Sequence, residues 1–295
     1  MITIKNVNLA FGQQAIFNGL TCNVSRDNRI GLVGRNGSGK STLLKVIAGQ
    51  QAIDDGMVSV EKGATIGYMP QEMVLQSEKN VFDEAFSAFE EISELENELK
   101  SLEFKLDDGC HDVLDRYAVV QNKLAELDSD KAKVDTEKLL MGLGFAKERL
   151  TVSVQDLSVG WRMRVVLAKL LLQKADFYLF DEPTNHLDIE TKDWFLNFIK
   201  NSNFGFMLVC HDRYFLDHLC EKILELEGGR GTTFVGNYSS YVVQKAERQE
   251  ALASAYERQK KDIAQKMKKV LRFRSSASKA KMAQSILKSV EKIDK

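Results

Sequence analysis

Gly34-Arg35-Asn36-Gly37-Ser38-Gly39-Lys40-Ser41 follows the apolar run Arg29-Ile30-Gly31-Leu32-Val33 and leads into Thr42-Leu43-Leu44-Lys45-Val46-Ile47-Ala48. The run reads as a buried strand, and the residues after the glycines read as a helix over Lys40–Ala48 that Gly49 stops. The pattern G-x-x-x-x-G-K-[ST] between a strand and a helix is a phosphate loop. Its glycines let backbone N–H groups turn toward phosphates, and the following helix adds the positive end of its dipole. Gly34, Arg35, Asn36, Gly37, Ser38, Gly39, Lys40, Ser41 and Thr42 are therefore the candidate nucleotide-binding residues. Lys40 would reach the β- and γ-phosphates, and the Ser41 hydroxyl is placed to bind Mg²⁺.

A second apolar run, Phe177-Tyr178-Leu179-Phe180, has the continuous hydrophobicity of a central parallel strand covered on both faces, and ends in Asp181-Glu182. Two carboxylates at the carboxyl edge of such a strand face the crevice where ligands of open α/β sheets bind. Asp181 would hold the metal, and Glu182 would orient and polarise an attacking water. An Asp-Glu pair in a loop is ordinarily just solvated; the strand before it and the phosphate loop upstream favour the catalytic reading. Phe206-Met207-Leu208-Val209 reads as a further strand.

With 295 residues, 44% of them hydrophobic, the chain can bury a sizeable core. No basic region followed by an apolar run opens it, so a signal peptide is not expected. Its most apolar helical stretch, Val165–Leu172, is interrupted by Lys169 and falls far short of the roughly 20 residues that span a bilayer. The four cysteines lack C-x-x-C spacing, which fits a reduced cytoplasm better than a disulfide framework. The net charge is −1, yet residues 258–295 hold thirteen Lys/Arg against three Asp/Glu, a balance of +10 that leaves −11 for the remainder. From about Ser240 the sequence reads as two basic helices joined at Ser275-Ser276-Ala277-Ser278. Such a pair binds RNA by releasing counterions from phosphates, unless it is merely solvated.

Residues 82–140 read as an inserted antiparallel helical hairpin. Ile92, Leu95, Leu99, Leu102 and Leu106 form a heptad seam, Asp107-Asp108-Gly109 breaks it, and Leu114, Tyr117, Gln121, Leu124 and Leu127 or Asp128 continue a similar spacing. From Glu78 to Lys138 there are eighteen acids and eight bases. The insertion is either a solvated structural element or a partner-binding arm.

Other pieces of sequence, in order, resemble the ABC ATPases. Gln71, after Tyr68-Met69-Pro70, matches the Q-loop, whose amide contacts the metal. Leu157-Ser158-Val159-Gly160-Trp161 matches the signature motif, so the resemblance implies that Ser158, Val159 and Gly160 cap the ATP of an opposing domain. His186-Leu187-Asp188 matches the D-loop, with Asp188 as its acid. His211 matches the switch histidine, implying catalytic assistance beside Glu182. Phe11 lies about where the family stacks an aromatic ring on adenine, with Phe17 a nearby competitor. In two places the chain departs from the pattern: Val159 stands where the family has a glycine, and Cys210 where it has a small hydroxyl residue.

Trp161-Arg162-Met163-Arg164 and Asp181-Glu182-Pro183-Thr184-Asn185-His186-Leu187-Asp188 narrow the resemblance to the ABC-F subfamily. So do His211-Asp212-Arg213-Tyr214-Phe215-Leu216-Asp217 and Gly236-Asn237-Tyr238-Ser239-Ser240-Tyr241. ABC-F proteins carry two ATPase domains on one chain, have no membrane domain, and act on ribosomes. The implied fold is α/β: an ABC-type P-loop NTPase domain over 1–239 with a helical subdomain and the arm over 82–140, then a basic helical linker over 240–295. Some 86 positions separate Gln71 from Leu157, room enough for that arm. ATP and Mg²⁺ are the implied cofactors. The implied partners are a second ABC domain and the ribosome, its rRNA or tRNA met by the linker.

A second G-x-x-x-x-G-K-[ST] does not occur. The expectation is a piece ending after the linker, which binds nucleotide but hydrolyses it weakly unless it homodimerises. Two other readings are the ATP-binding subunit of a membrane transporter, which would lack the hairpin and the basic helices, and a nucleotide-gated RNA-binding module whose Val159 has abolished turnover.

Overall fold

The structure is a computed structural model that describes residues 1–71, 75, 77–107, 113–274 and 280–291. The chain divides into two compact units, Met1–Tyr238 and Ser239–Lys295.

The first unit is built on two sheets. β1 (Ile2–Phe11), β2 (Gln14–Val24) and β4 (Asp55–Val60) form an antiparallel sheet in the order β2-β1-β4. Alternation along β1 breaks at Asn6, which takes φ 53° and shifts the register, so Ile2, Ile4, Val7 and Leu9 all turn into the core. The second sheet contains β3 (Arg29–Gly34), β5 (Ile66–Met69), β6 (Phe177–Asp181), β7 (Gly205–Val209), β8 (Lys222–Glu227) and β9 (Arg230–Val235). Its order is β5-β6-β7-β3-β8-β9, parallel throughout except for β9. Both apolar runs singled out in the sequence are central strands: every residue of β6 and β7 is buried. Because β3, β6 and β7 are neighbours and parallel, the phosphate loop, Asp181-Glu182 and His211 all leave the sheet at one carboxyl edge.

α1 (Lys40–Ile47) follows the phosphate loop and ends at Ala48, with Gly49 at φ 72° beyond it, where the sequence puts the stop. The two prolines lie beyond strand ends, Pro70 after β5 and Pro183 after β6.

The insertion is four helices: α2 (Val81–Phe86), α3 (Glu90–Asp107), α4 (Leu114–Glu126) and α5 (Ser129–Gly142). α2 and α5 pack on α6 (Val159–Leu172), so the hairpin is confined to α3 and α4. Ile92, Leu95 and Leu102 are buried as the seam requires. The second half of the seam differs by one position: Leu114, Gln121 and Leu127 are exposed, whereas Val113, Tyr117, Val120 and Leu124 face the partner helix. Spacings of four, three and four keep these residues on one helical stripe, while charged neighbours hide the fact that apolar Leu114 lies off it. Glu98 forks onto Arg116 through two bonds of 2.6 and 2.8 Å across the hairpin.

α7 (Ile189–Lys200) and α8 (Arg213–Leu219) complete this unit. In the second unit, α9 (Tyr238–Arg274) and α10 (Ala280–Glu291) are the two helices expected of the basic segment; the expected break at 275–278 lies outside the described residues. No described helix is long and apolar enough to cross a membrane.

Candidate nucleotide site

The phosphate loop closes because glycine stands where its backbone must turn back. Gly39, the residue before α1, has φ 93°, and a Cβ there would come within 2.6 Å of Ile16 Cγ2 and 2.9 Å of the Phe17 ring. Phe17 is thus part of the floor beneath the loop and is 2% exposed, whereas Phe11 at the end of β1 is 49% exposed.

Asn36, Gly37, Lys40, Ser41, Gln71, Asp181, Glu182, Val209 and His211 line one cleft of about 250 Å³ at the carboxyl edge of the sheet. Gly34, Arg35, Ser38, Gly39 and Thr42 complete the loop and the first turn of α1 behind it. The Lys40 ammonium donates to the carbonyls of Gly34 and Arg35 at 3.0 and 3.2 Å, so a cation is already held at the loop.

Asp181 and Glu182 are 2% and 5% exposed. Burial pushes both carboxyls above the usual range; the Ser41 hydroxyl and the charges of Lys45 and Lys40 oppose this at Asp181, and His211 opposes it at Glu182. Asp181 Oδ1 is buried with no hydrogen-bond partner. Glu182 has φ 55°, unusual for a side-chain-bearing residue, which the fold sustains by bonding its N–H to the Val209 carbonyl at 2.9 Å. That turn places the carboxylate beside His211, whose backbone N–H donates to Oε2 at 3.2 Å and whose Nε2 is 3.4 Å from Oε1.

These groups suit magnesium. A small hard cation takes oxygen ligands, one or two of them carboxylate and the rest phosphate or water. The orphaned Oδ1 of Asp181 beside the Ser41 hydroxyl and the Gln71 amide offers that donor set. Among the described residues no group of three His, Cys, Asp or Glu could hold a metal.

Ser158, Val159, Gly160 and Asp188 lie outside the cleft lining. Ser158 precedes α6, and Val159, 60% exposed, is its first residue, so the branched side chain projects outward. Asp188 caps α7 through a 2.9 Å bond from the Thr191 N–H, and that bond together with Arg164 pulls its carboxyl down to about 2. Cys210 Sγ accepts from the Asp212 N–H at 3.3 Å and lies 3.3 Å from the Thr184 hydroxyl, a packing role on the strand side of His211. Arg164 and Tyr68 stand inside sequence motifs that give neither of them a role. Arg164 is buried with four polar partners, and the Tyr68 hydroxyl is buried without one.

A parallel sheet with a phosphate loop, a buried acid pair and a histidine on adjacent strand ends defines an ABC-type ATPase cassette. The ABC transporter family profile matches residues 17–185, and a second profile of the same description matches residues 224–295. The chain belongs to the ABC transporter family. Its kinship there is with the F subfamily: it is 34% identical over 299 residues to "ABC transporter F family member 2" of Arabidopsis thaliana, covering 99% of this chain and 44% of that protein. It is 32% identical to the "Uncharacterized ABC transporter ATP-binding protein YfmM" of Bacillus subtilis, covering 100% of this chain and 58% of that one. The chain thus spans about half the length of such relatives. In fold it resembles the ATP-binding cassette MJ0796, a dimer bound to ADP and Pi, with a TM-score of 0.57 at 19% identity over 80% of this chain and 98% of that one.

Proposed function

We propose that this chain is one ATP-binding and ATP-hydrolysing half of a cytoplasmic ABC-F factor that works on the ribosome. The observation that carries the ATPase reading is the convergence of Lys40, Ser41, Gln71, Asp181, Glu182 and His211 on one cleft. Lys40 exchanges its two loop carbonyls for β- and γ-phosphate oxygens, as the backbone N–H groups of 34–41 receive the rest of the phosphate chain. Ser41, Gln71 and Asp181 are the residues that would hold magnesium, which when bound neutralises charge building on the phosphates. Glu182 takes up the attacking water: its carboxylate is buried, aimed into the cleft by its backbone turn, and steadied by the His211 backbone N–H. His211, just past the end of neighbouring β7, contacts the γ-phosphate and closes the far side of that water. Phe11 stacks on adenine; its exposure supports it over the buried Phe17.

Ser158, Val159 and Gly160 at the head of α6, with Asp188, act on the nucleotide of a second ABC domain. Their position outside this cleft supports that division of labour. The ribosomal role rests on the kinship with F members and on the basic segment of α9 and α10, which suits RNA phosphate; the acidic α3–α4 hairpin suits a protein surface or a basic ribosomal protein tail instead.

Glu182→Gln tests both levels. Loss of a general base costs about 10²–10⁴-fold, so ATP turnover should fall at least about 100-fold while ATP binding persists. In the complete protein, the same substitution should increase co-sedimentation with ribosomes in ATP. Unchanged turnover sinks the site assignment; abolished turnover without ribosome retention sinks the ribosomal role and favours a transporter subunit.

A further inference from the structure

Arg164 lies on α6, six residues past Ser158, and is only 7% exposed. A buried guanidinium persists when its donors are matched, and here they are spent on three separate segments. Nε donates to the His186 carbonyl at 3.1 Å, and Nη2 meets Asp188 Oδ2 at 3.0 Å. Nη1 donates to the Leu143 carbonyl at the end of α5 at 3.1 Å and to the Thr191 hydroxyl at 3.3 Å. The Trp161 ring lies 4.3 Å from the guanidinium carbon and is itself held edge-on by Phe145 at 4.8 Å. The turn that carries His186 leads back to Glu182, since the Asn185 N–H donates to the Glu182 carbonyl at 3.3 Å and the Leu187 N–H to the Thr184 carbonyl at 3.3 Å.

We propose that Arg164 is a positioning residue that ties the signature end of α6 to the 182–188 segment, so that engagement of a second domain's nucleotide by Ser158–Gly160 is transmitted to Glu182 of this chain. The inference rests on the reading that the signature acts across domains. A rigid tie is what such transmission needs: a planar five-donor group locks direction as well as distance, which a lysine ammonium cannot. Asp188 is the second anchor, paired with the same guanidinium at 3.0 Å and 60% exposed on its open side, where another domain can meet it. The two nucleotide sites of an assembled pair then turn over together rather than independently.

The test uses the full chain, with 2′-(N-methylanthraniloyl)-ATP as the probe of binding and phosphate release as the probe of turnover, measured at saturating protein concentration. Arg164→Met should leave probe affinity within about twofold, lower saturating turnover by about tenfold or more, and reduce the Hill slope for ATP toward one; couplings between sites typically span 5–150-fold. Arg164→Lys should recover part of the turnover. Wild-type turnover in Arg164→Met overturns the inference. So does a loss of probe affinity equal to the loss of turnover. Should Arg164→Met melt early, Arg164→Lys against wild type carries the same comparison of turnover and Hill slope. Glu182→Gln separates the two ideas: turnover lost there but intact in the Arg164 variants refutes only the coupling.

Discussion

Two phenylalanines six positions apart carry different burdens at this site. Phe17 is packed under Gly39, so Phe17→Ala should cost about 3–5 kcal/mol of stability and loosen the loop with it. Phe11 is half-exposed and supports no core. Phe11→Ala should melt as wild type does while weakening ATP about tenfold, within the 1–3 kcal/mol of a base-aromatic stack. Melting curves and nucleotide titrations of both variants check the pair, and an equal loss of affinity without melting in Phe17→Ala would reverse the assignment. Glu182 carries its own cost. Burial holds its carboxyl above the ordinary value of 4.5, so the folded state keeps that proton more tightly than the unfolded chain. Raising the pH through the folded value therefore takes stability away from the nucleotide-free protein. Glu182→Gln has no proton to lose; its melting temperature should exceed that of wild type by an amount that widens from pH 5 to pH 8, about 2–4 °C for each kcal/mol. A gap that narrows with rising pH contradicts the burial argument.

At the scale of elements, strands were the more legible. Phe177–Phe180 and Phe206–Val209 are short apolar runs with no alternation, a pattern that only a covered parallel strand satisfies here, and the site residues directly after them came with the reading. The loop was legible because its chemistry needs fixed residue types at fixed spacing. The arm was less so: heptad reading found the first helix but placed Gln121 on the seam where Val120 belongs, because a six-residue link leaves the phase of α4 unspecified by α3. Val120 is fully buried, and Gln121 is exposed. Val120→Asp should therefore open the hairpin, costing more than about 2 kcal/mol for an unpaired buried charge, and Gln121→Asp should be silent. Amide hydrogen exchange over 90–126 reads the difference directly, with ATP binding unaffected in both. Arg164 was illegible for another reason: its partners at 143, 186, 188 and 191 are distant in sequence, and nothing in a local motif says that an arginine on an apolar helix turns inward.

For the whole molecule, the governing fact is that the cleft and the signature end of α6 are separate places. Under the division of labour proposed above, the chain presents a nucleotide on one face and a cap for another domain's nucleotide on another, so a single copy has neither site enclosed. The N-terminus of the fourteen-residue α6 offers its dipole and backbone N–H groups to phosphate only when a second domain arrives. On the proposed reading, two copies of this chain should supply that geometry to each other, each Ser158 facing the other's Lys40. Turnover per molecule should then rise with protein concentration and saturate, being nearly proportional to concentration well below the dimer dissociation constant, while ATP affinity measured at the lowest concentrations stays that of the lone cleft. Glu182→Gln sharpens the measurement, because blocked hydrolysis should accumulate an ATP-bound dimer visible by sedimentation velocity. Turnover per molecule that is independent of concentration, in a chain that sediments as a monomer with ATP, would mean that this cleft completes its chemistry without a cap, and that Val159 at the head of α6 marks a signature no longer needed.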